Sequence, residues 1–171
     1  EQVLQALVAL TKSRAETLSN EKLEMTNAAL LKEFRRTGAD YKRHTLSAMA
    51  TYLKAMPRVN IFDEVAATVV PFLNQTPGKD AEGDDEMVDL DEVNEKDKGP
   101  LRLVVVQSCI ACLLGAVRPG TASQVEQLEV CAKVLEHVFQ QSYPWNVTLQ
   151  ILESITELYK RIQGQSTIQV E

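Results

Sequence analysis

Glycine and proline are scarce: seven and six, respectively, in 171 residues, against roughly one residue in eight on average. A sandwich or barrel of short strands needs many tight turns, so this scarcity argues against an all-β fold. Cysteine is scarce too. Three cysteines, an odd number with no disulfide-like spacing, fit a reducing compartment, and the chain is expected to be cytoplasmic and nuclear. No long hydrophobic run is present. The most apolar stretch, Leu103 to Val117, is broken by Gln107 and Ser108 and is shorter than the roughly 20 residues of a membrane span. No basic face is evident either, so no nucleic-acid partner is expected. The chain opens at Glu1 in what reads as mid-helix, so no secretory leader is expected and the sequence reads as part of something longer.

What is present is apolar side chains, 44% of the total, enough for a core. The net charge of −6 is uneven. Thr76 to Gly99 holds ten acidic residues and three lysines, a net −7, which leaves the remainder at +1. This stretch has too few apolar side chains to offset its ordering entropy, so a disordered acidic insertion is expected. The chain therefore divides into helical residues 1–75, an acidic flexible insert 76–99, and helical residues 100–171, the two helical parts forming one array.

Helical periodicity dominates outside the insert. Val3, Leu4, Leu7, Val8 and Leu10 mark a first helix. Ser19-Asn20 caps a second, carrying Leu23, Leu30, Leu31 and Phe34, with Arg35 and Arg36 complementing its carbonyl end and Gly38 as its stop. Asp40 is expected to cap a third helix, Tyr41 to Met56, ended by Pro57. Asn60 is expected to open a fourth, in which Pro71 should produce a kink. Leu101 to Val117 is apolar nearly all round and should be buried on several sides. Ser123 starts a sixth helix and Pro144 a seventh.

Helices of this length joined by short turns suggest a repeat. A shift of 60 overlays Leu46, Met49, Tyr52 and Met56 on Val106, Cys109, Cys112 and Ala116. A further shift of 43 reaches Leu149, Leu152, Ile155 and Tyr159. The second shift lies in the roughly 40–47-residue period of HEAT and armadillo repeats, and the first exceeds it by about the length of the insert. The expected fold is all-α, a HEAT/armadillo-like α-solenoid of antiparallel helix pairs with an acidic disordered insertion.

No catalytic, cofactor-binding or metal-binding residues emerge. His44 and His137 lie on different helices with no nucleophile motif nearby, and His44 is expected on a solvated face. Cys109 and Cys112 form a CxxC without the second pair a structural zinc site needs, and are expected in the core with Cys131 separate. Gly115 to Thr121 has the glycine spacing of a phosphate loop but no lysine after Gly120, so it reads as a turn that ends a helix. Arg35, Arg36, Lys42, Arg43 and His44 form the densest basic group and read as a solvated turn. Within the insert, Met87-Val88-Asp89-Leu90-Asp91-Glu92 sets apolar residues beside acids, a pattern suited to strand addition and a candidate site for ubiquitin-like proteins.

Two blocks of sequence carry a resemblance. Asp40-Tyr41-Lys42-Arg43-His44-Thr45-Leu46, continuing through Tyr52-Leu53-Lys54-Ala55 to Val69-Val70-Pro71-Phe72-Leu73, resembles the large HEAT-repeat adaptor family of the proteasome. Leu113-Leu114-Gly115-Ala116 and Pro144-Trp145-Asn146-Val147-Thr148-Leu149-Gln150 resemble its following repeats towards the C-terminal end. The resemblance runs from about Ala15 to Ile162 and implies a non-enzymatic scaffold that binds proteasome subunits. Such a scaffold bridges regulatory and core particles and acts in assembly quality control. A nuclear transport receptor is the alternative helical-repeat scaffold.

Overall fold

In a computed structural model, residues 2–14, 17–35, 39–74 and 95–168 are described. Every regular element among them is a helix: α1 (Gln2–Ser13), α2 (Asn20–Phe34), α3 (Ala39–Ala55), α4 (Phe62–Leu73), α5 (Glu95–Ala116), α6 (Gln124–Gln140) and α7 (Trp145–Ile168). The helices form two layers. In one, α1 packs on α3, α3 on α5, and α5 on α7; in the other, α2 lies on α3, and α4 lies on α5 and beside α6.

The directions of α2, α5 and α7 relative to α3 follow from their contacts. Cys112 meets Leu46, and a Cβ on Gly115 would touch Ala50 and Leu53, so α5 runs parallel to α3. Lys54 meets Glu157 and Arg161 meets Leu114, which carries the same direction on to α7. Tyr52 bonds Asn27 and Arg58 bonds Leu18, so α2 is antiparallel to α3. The parallel α3, α5 and α7 stacked in one layer, with α2 antiparallel to α3 in the other, are the arrangement of an α-solenoid.

The core lies between the layers. Leu46, Met49, Tyr52 and Leu53 from α3 meet Leu30 and Phe34 from α2 in one continuous cluster, which continues through Val106, Cys109, Ile110 and Leu113 of α5. Burial of α5 on several sides agrees with its sequence. Its solvent-facing strip is narrow, with Val104 exposed and Gln107, Ser108 and Ala111 half-buried, at helical spacing.

The helix boundaries differ from expectation in particulars. Ser19 caps α2 as expected, its hydroxyl accepting from the Lys22 N–H at 3.4 Å. Asp40 falls inside the first turn of α3, which begins at Ala39. The residue before α4 is Ile61, which offers no side-chain cap, and Asn60 instead accepts a hydrogen bond from the Gln127 amide at 3.3 Å. Pro71 falls in the last turn of α4, and the helix ends two residues beyond it at Leu73. Helix α5 begins at Glu95 and runs through Gly99-Pro100. Pro100 is the sixth residue of α5, just past the four N–H groups that a helix start leaves unpaired, so its ring forgoes one backbone bond in the second turn.

The repeat overlay holds for α3 on α5, where all eight residues are buried. On α7 it fails: Leu149, Leu152 and Tyr159 are exposed. The buried stripe is Val147, Ile151 and Leu158, and a shift of 42 aligns it with Val105, Cys109 and Ala116. An apolar residue on either side of a helix scores alike in a sequence overlay, and α7 carries apolar residues on both.

Candidate interaction surface

The junctions between helices are fixed by a buried arginine. Arg118 follows the end of α5 and is 2% exposed. Its guanidinium donates to the carbonyls of Leu53 (3.1 Å), Gly115 (2.8 Å), Val117 (3.0 Å) and Val59. Leu53 lies in the last turn of α3 and Gly115 in that of α5, so the cation sits at the negative ends of two parallel helix dipoles. Its backbone N–H donates to the buried Gln127 at 2.8 Å, and its carbonyl accepts from Thr121 at 2.7 Å.

Burial, with the nearby charge of Arg161, pushes the Arg118 guanidinium down to about 10, so it is still a cation at neutral pH. Arg161 of α7 reaches the same helix end, donating to Leu114 at 2.5 Å and more weakly to Gly115 and Val117 at 3.4 Å. Helices α3, α5 and α7 thus share one polar junction. The turn then reverses at Gly120, at φ 79°, its N–H held by Gln124 at 2.7 Å. That geometry needs glycine, and the segment from Gly115 to Thr121 is the helix-ending turn its sequence indicates. Sequence reasoning missed Arg118, Gln127 and Arg161; the available signal was a cation placed directly after an apolar helix, where orphan carbonyls gather.

The other candidate residues separate. Cys109 and Cys112 are core residues, and the Cys112 thiol donates to the Leu46 carbonyl at 3.0 Å. Burial pushes the Cys112 thiol well above its ordinary range and Cys131 up to about 12, so both stay protonated and unreactive at neutral pH. Among the described residues no group of three or more His, Cys, Asp or Glu could hold a metal ion. His137 pairs with Gln141 at 2.8 Å on α6. His44 is half-buried, a correction to the solvated face expected of it, because α1 packs beside α3 and walls it into a cavity with Ser47 and Gln5. Of the basic group, Arg35 is exposed, and the side chains of Arg36, Lys42 and Arg43 lie outside the described residues. The Met87–Glu92 motif also lies outside them.

Among the described residues, open surfaces include one on α7 and one on the layer of α3, α5 and α7. Helix α7 presents Leu149 and Leu152 beside Glu153, Thr156, Glu157 and Lys160 around a groove of about 460 Å³. On the layer of α3, α5 and α7, a polar cavity of about 260 Å³ is crossed at one end by the Lys54–Glu157 ion pair at 2.7 Å. No described helix is long and apolar enough to cross a membrane.

Two stacked layers of helices, pinned at their turns and open along their faces, define the protein as an ARM-like helical-repeat solenoid. The chain belongs to the family described as ECM29, C-terminal ARM-like repeats, whose model matches residues 12–171. Comparison with curated proteins and with solved structures gives no match.

Proposed function

We propose that this chain is a non-enzymatic scaffold that binds the proteasome, bridging regulatory and core particles in assembly or quality control, in the cytoplasm and nucleus. The observation that carries this reading is the family match along nearly the whole array. The fold supports it physically, because stacked repeats present long surfaces to partners and spend their buried groups on packing. The buried Arg118, Cys109 and Cys112 and the half-buried Arg161 are all engaged in holding helices together. Crosslinking mass spectrometry on the intact assembly tests the reading. Crosslinks from Lys54, Lys133 and Lys160 to regulatory and core subunits are expected. Crosslinks to import cargo and a small GTPase instead would make the chain a transport receptor.

The acidic motif Met87–Glu92 extends the same reading as a contact for ubiquitin-like proteins. Titration of a labelled ubiquitin-like protein with the 76–99 peptide is expected to shift its signal. No shift at millimolar peptide removes this contact.

A further inference from the structure

We propose that α7 pairs antiparallel with α7 of a second copy of this chain, along the outer stripe of the helix. The pairing goes beyond the scaffold reading and does not depend on which partner the array binds. Val147, Ile151 and Leu158 are buried on the side of α7 that packs on α5. At roughly 100° per residue, Leu149, Leu152, Thr156 and Tyr159 fall on the opposite side. All four are exposed, and Trp145, at 76%, extends the stripe by a turn. Exposed apolar side chains set singly are ordinary, but a contiguous stripe of them marks a contact. Thr156 brings no unpaired donor to it, since its hydroxyl donates to the Leu152 carbonyl at 2.8 Å.

The spacing of the stripe, alternately three and four residues, is that of a coiled-coil seam, which takes a single helix. A further repeat would bring a helix pair and would need a broader apolar face. The charges beside the seam select which helix. Glu153 and Lys160 border one edge of it, both exposed and seven residues apart. Neither has an ion-pair partner among the described residues, whereas Glu157 is engaged by Lys54 at 2.7 Å. About a two-fold axis between Thr156 and Glu157, Glu153 of each copy meets Lys160 of the other. One patch thus supplies two reciprocal ion pairs, the self-complementarity that a two-fold dimer requires. A parallel pair would instead set Lys160 against the apolar Ile155, so the charges also fix the direction. The seam spans about four turns, at the small end of specific interfaces, so pairing is expected at about 10–100 µM.

Sedimentation equilibrium of the 171-residue chain from about 5 to about 500 µM tests this. A monomer–dimer equilibrium is expected, weakened about ten-fold or more in the Leu149→Ser/Leu152→Ser variant. Glu153→Lys and Lys160→Glu should each weaken self-association about ten-fold, because each sets like charges across the two-fold axis. Mixed in equal amounts, these two variants should form a heterodimer about as tight as the native dimer, since both ion pairs return with their charges exchanged. The altered side chains are exposed, so all variants should melt as the native chain does when dilute. A monomer throughout the range overturns the proposal and leaves the stripe to a different protein. Dimers that ignore the charge reversals, or a mixture no tighter than either variant alone, overturn it as well. None of these outcomes bears on the proteasome crosslinks, so the two readings fail separately.

Discussion

The guanidinium Nη2 of Arg118 lies 3.1 Å from the carbonyl oxygen of Leu53, across 65 residues of chain. That bond ties the end of one helix to the turn after its parallel neighbour, and among the described residues no carboxylate bonds the guanidinium. A buried cation held only by carbonyls works because those carbonyls are the ones a helix end leaves unpaired. The same guanidinium also bonds Gly115 and Val117, so its removal strands Leu53 and Val59 and leaves those two with only the longer contacts from Arg161.

Arg118→Met should therefore destabilise the chain by about 3 kcal/mol, the cost of leaving buried polar groups unpaired. Urea unfolding followed by circular dichroism measures it. Arg118→Lys should recover only part, since one ammonium cannot span all four carbonyls. A change below about 1 kcal/mol in the methionine variant would show that the junction is held by packing alone.

Alkaline pH should weaken the fold through its buried acids. Cys112 and Cys131 are held protonated in the folded chain and ionise near 9 when unfolded, and Tyr52 is pushed from 10 to about 12. Between these values the unfolded chain has lost protons that the folded chain keeps, so stability falls as pH rises, by about 1.4 kcal/mol per unit for each group. Arg118, lowered from 12.5 to about 10, acts in the opposite sense above pH 10. The decline should begin near pH 9, and Cys131→Ala should flatten it. Melting temperatures from pH 8 to 10.5 read this directly.

The Lys54–Glu157 ion pair spans α3 to α7, yet both side chains are over a third exposed, at 38% and 49%. Exposed pairs contribute about 0.2–1 kcal/mol. Lys54→Met should lower stability by no more than that, and the loss should disappear in high salt. A double-mutant cycle with Glu157→Gln measures the coupling.

Glycine substitutions should divide by backbone. A Cβ at Gly115 would meet Leu53, Ala50 and Lys54 at 3.7–3.8 Å, ordinary contact, and at Gly164 it would meet nothing within 4 Å. Alanine at either helical position should stabilise by about 0.5–1 kcal/mol. Gly120→Ala should cost about 1–2 kcal/mol, because φ 79° crowds the added Cβ against backbone. Thermal melts of the three variants give the comparison.

Apolar periodicity determined the helices by itself. It found the buried stripe of α3, the burial of α5 on several sides and the core placement of Cys109 and Cys112, because a helix spaces its contacts every three to four residues whatever surrounds it. The sequence also separated an acidic stretch from a nearly neutral array, since charge needs no coordinates. It misjudged Asn60 as a cap, overlaid α7 on its exposed side, and read Arg118 only as part of a turn. These depend on which distant backbone a side chain meets. Periodicity shows that a face is apolar but not which neighbour covers it. Only the stacking of α3, α5 and α7 brought Leu53, Gly115, Arg118 and Arg161 to one point, and set Ser47, Gln107 and Gln150 around one cavity.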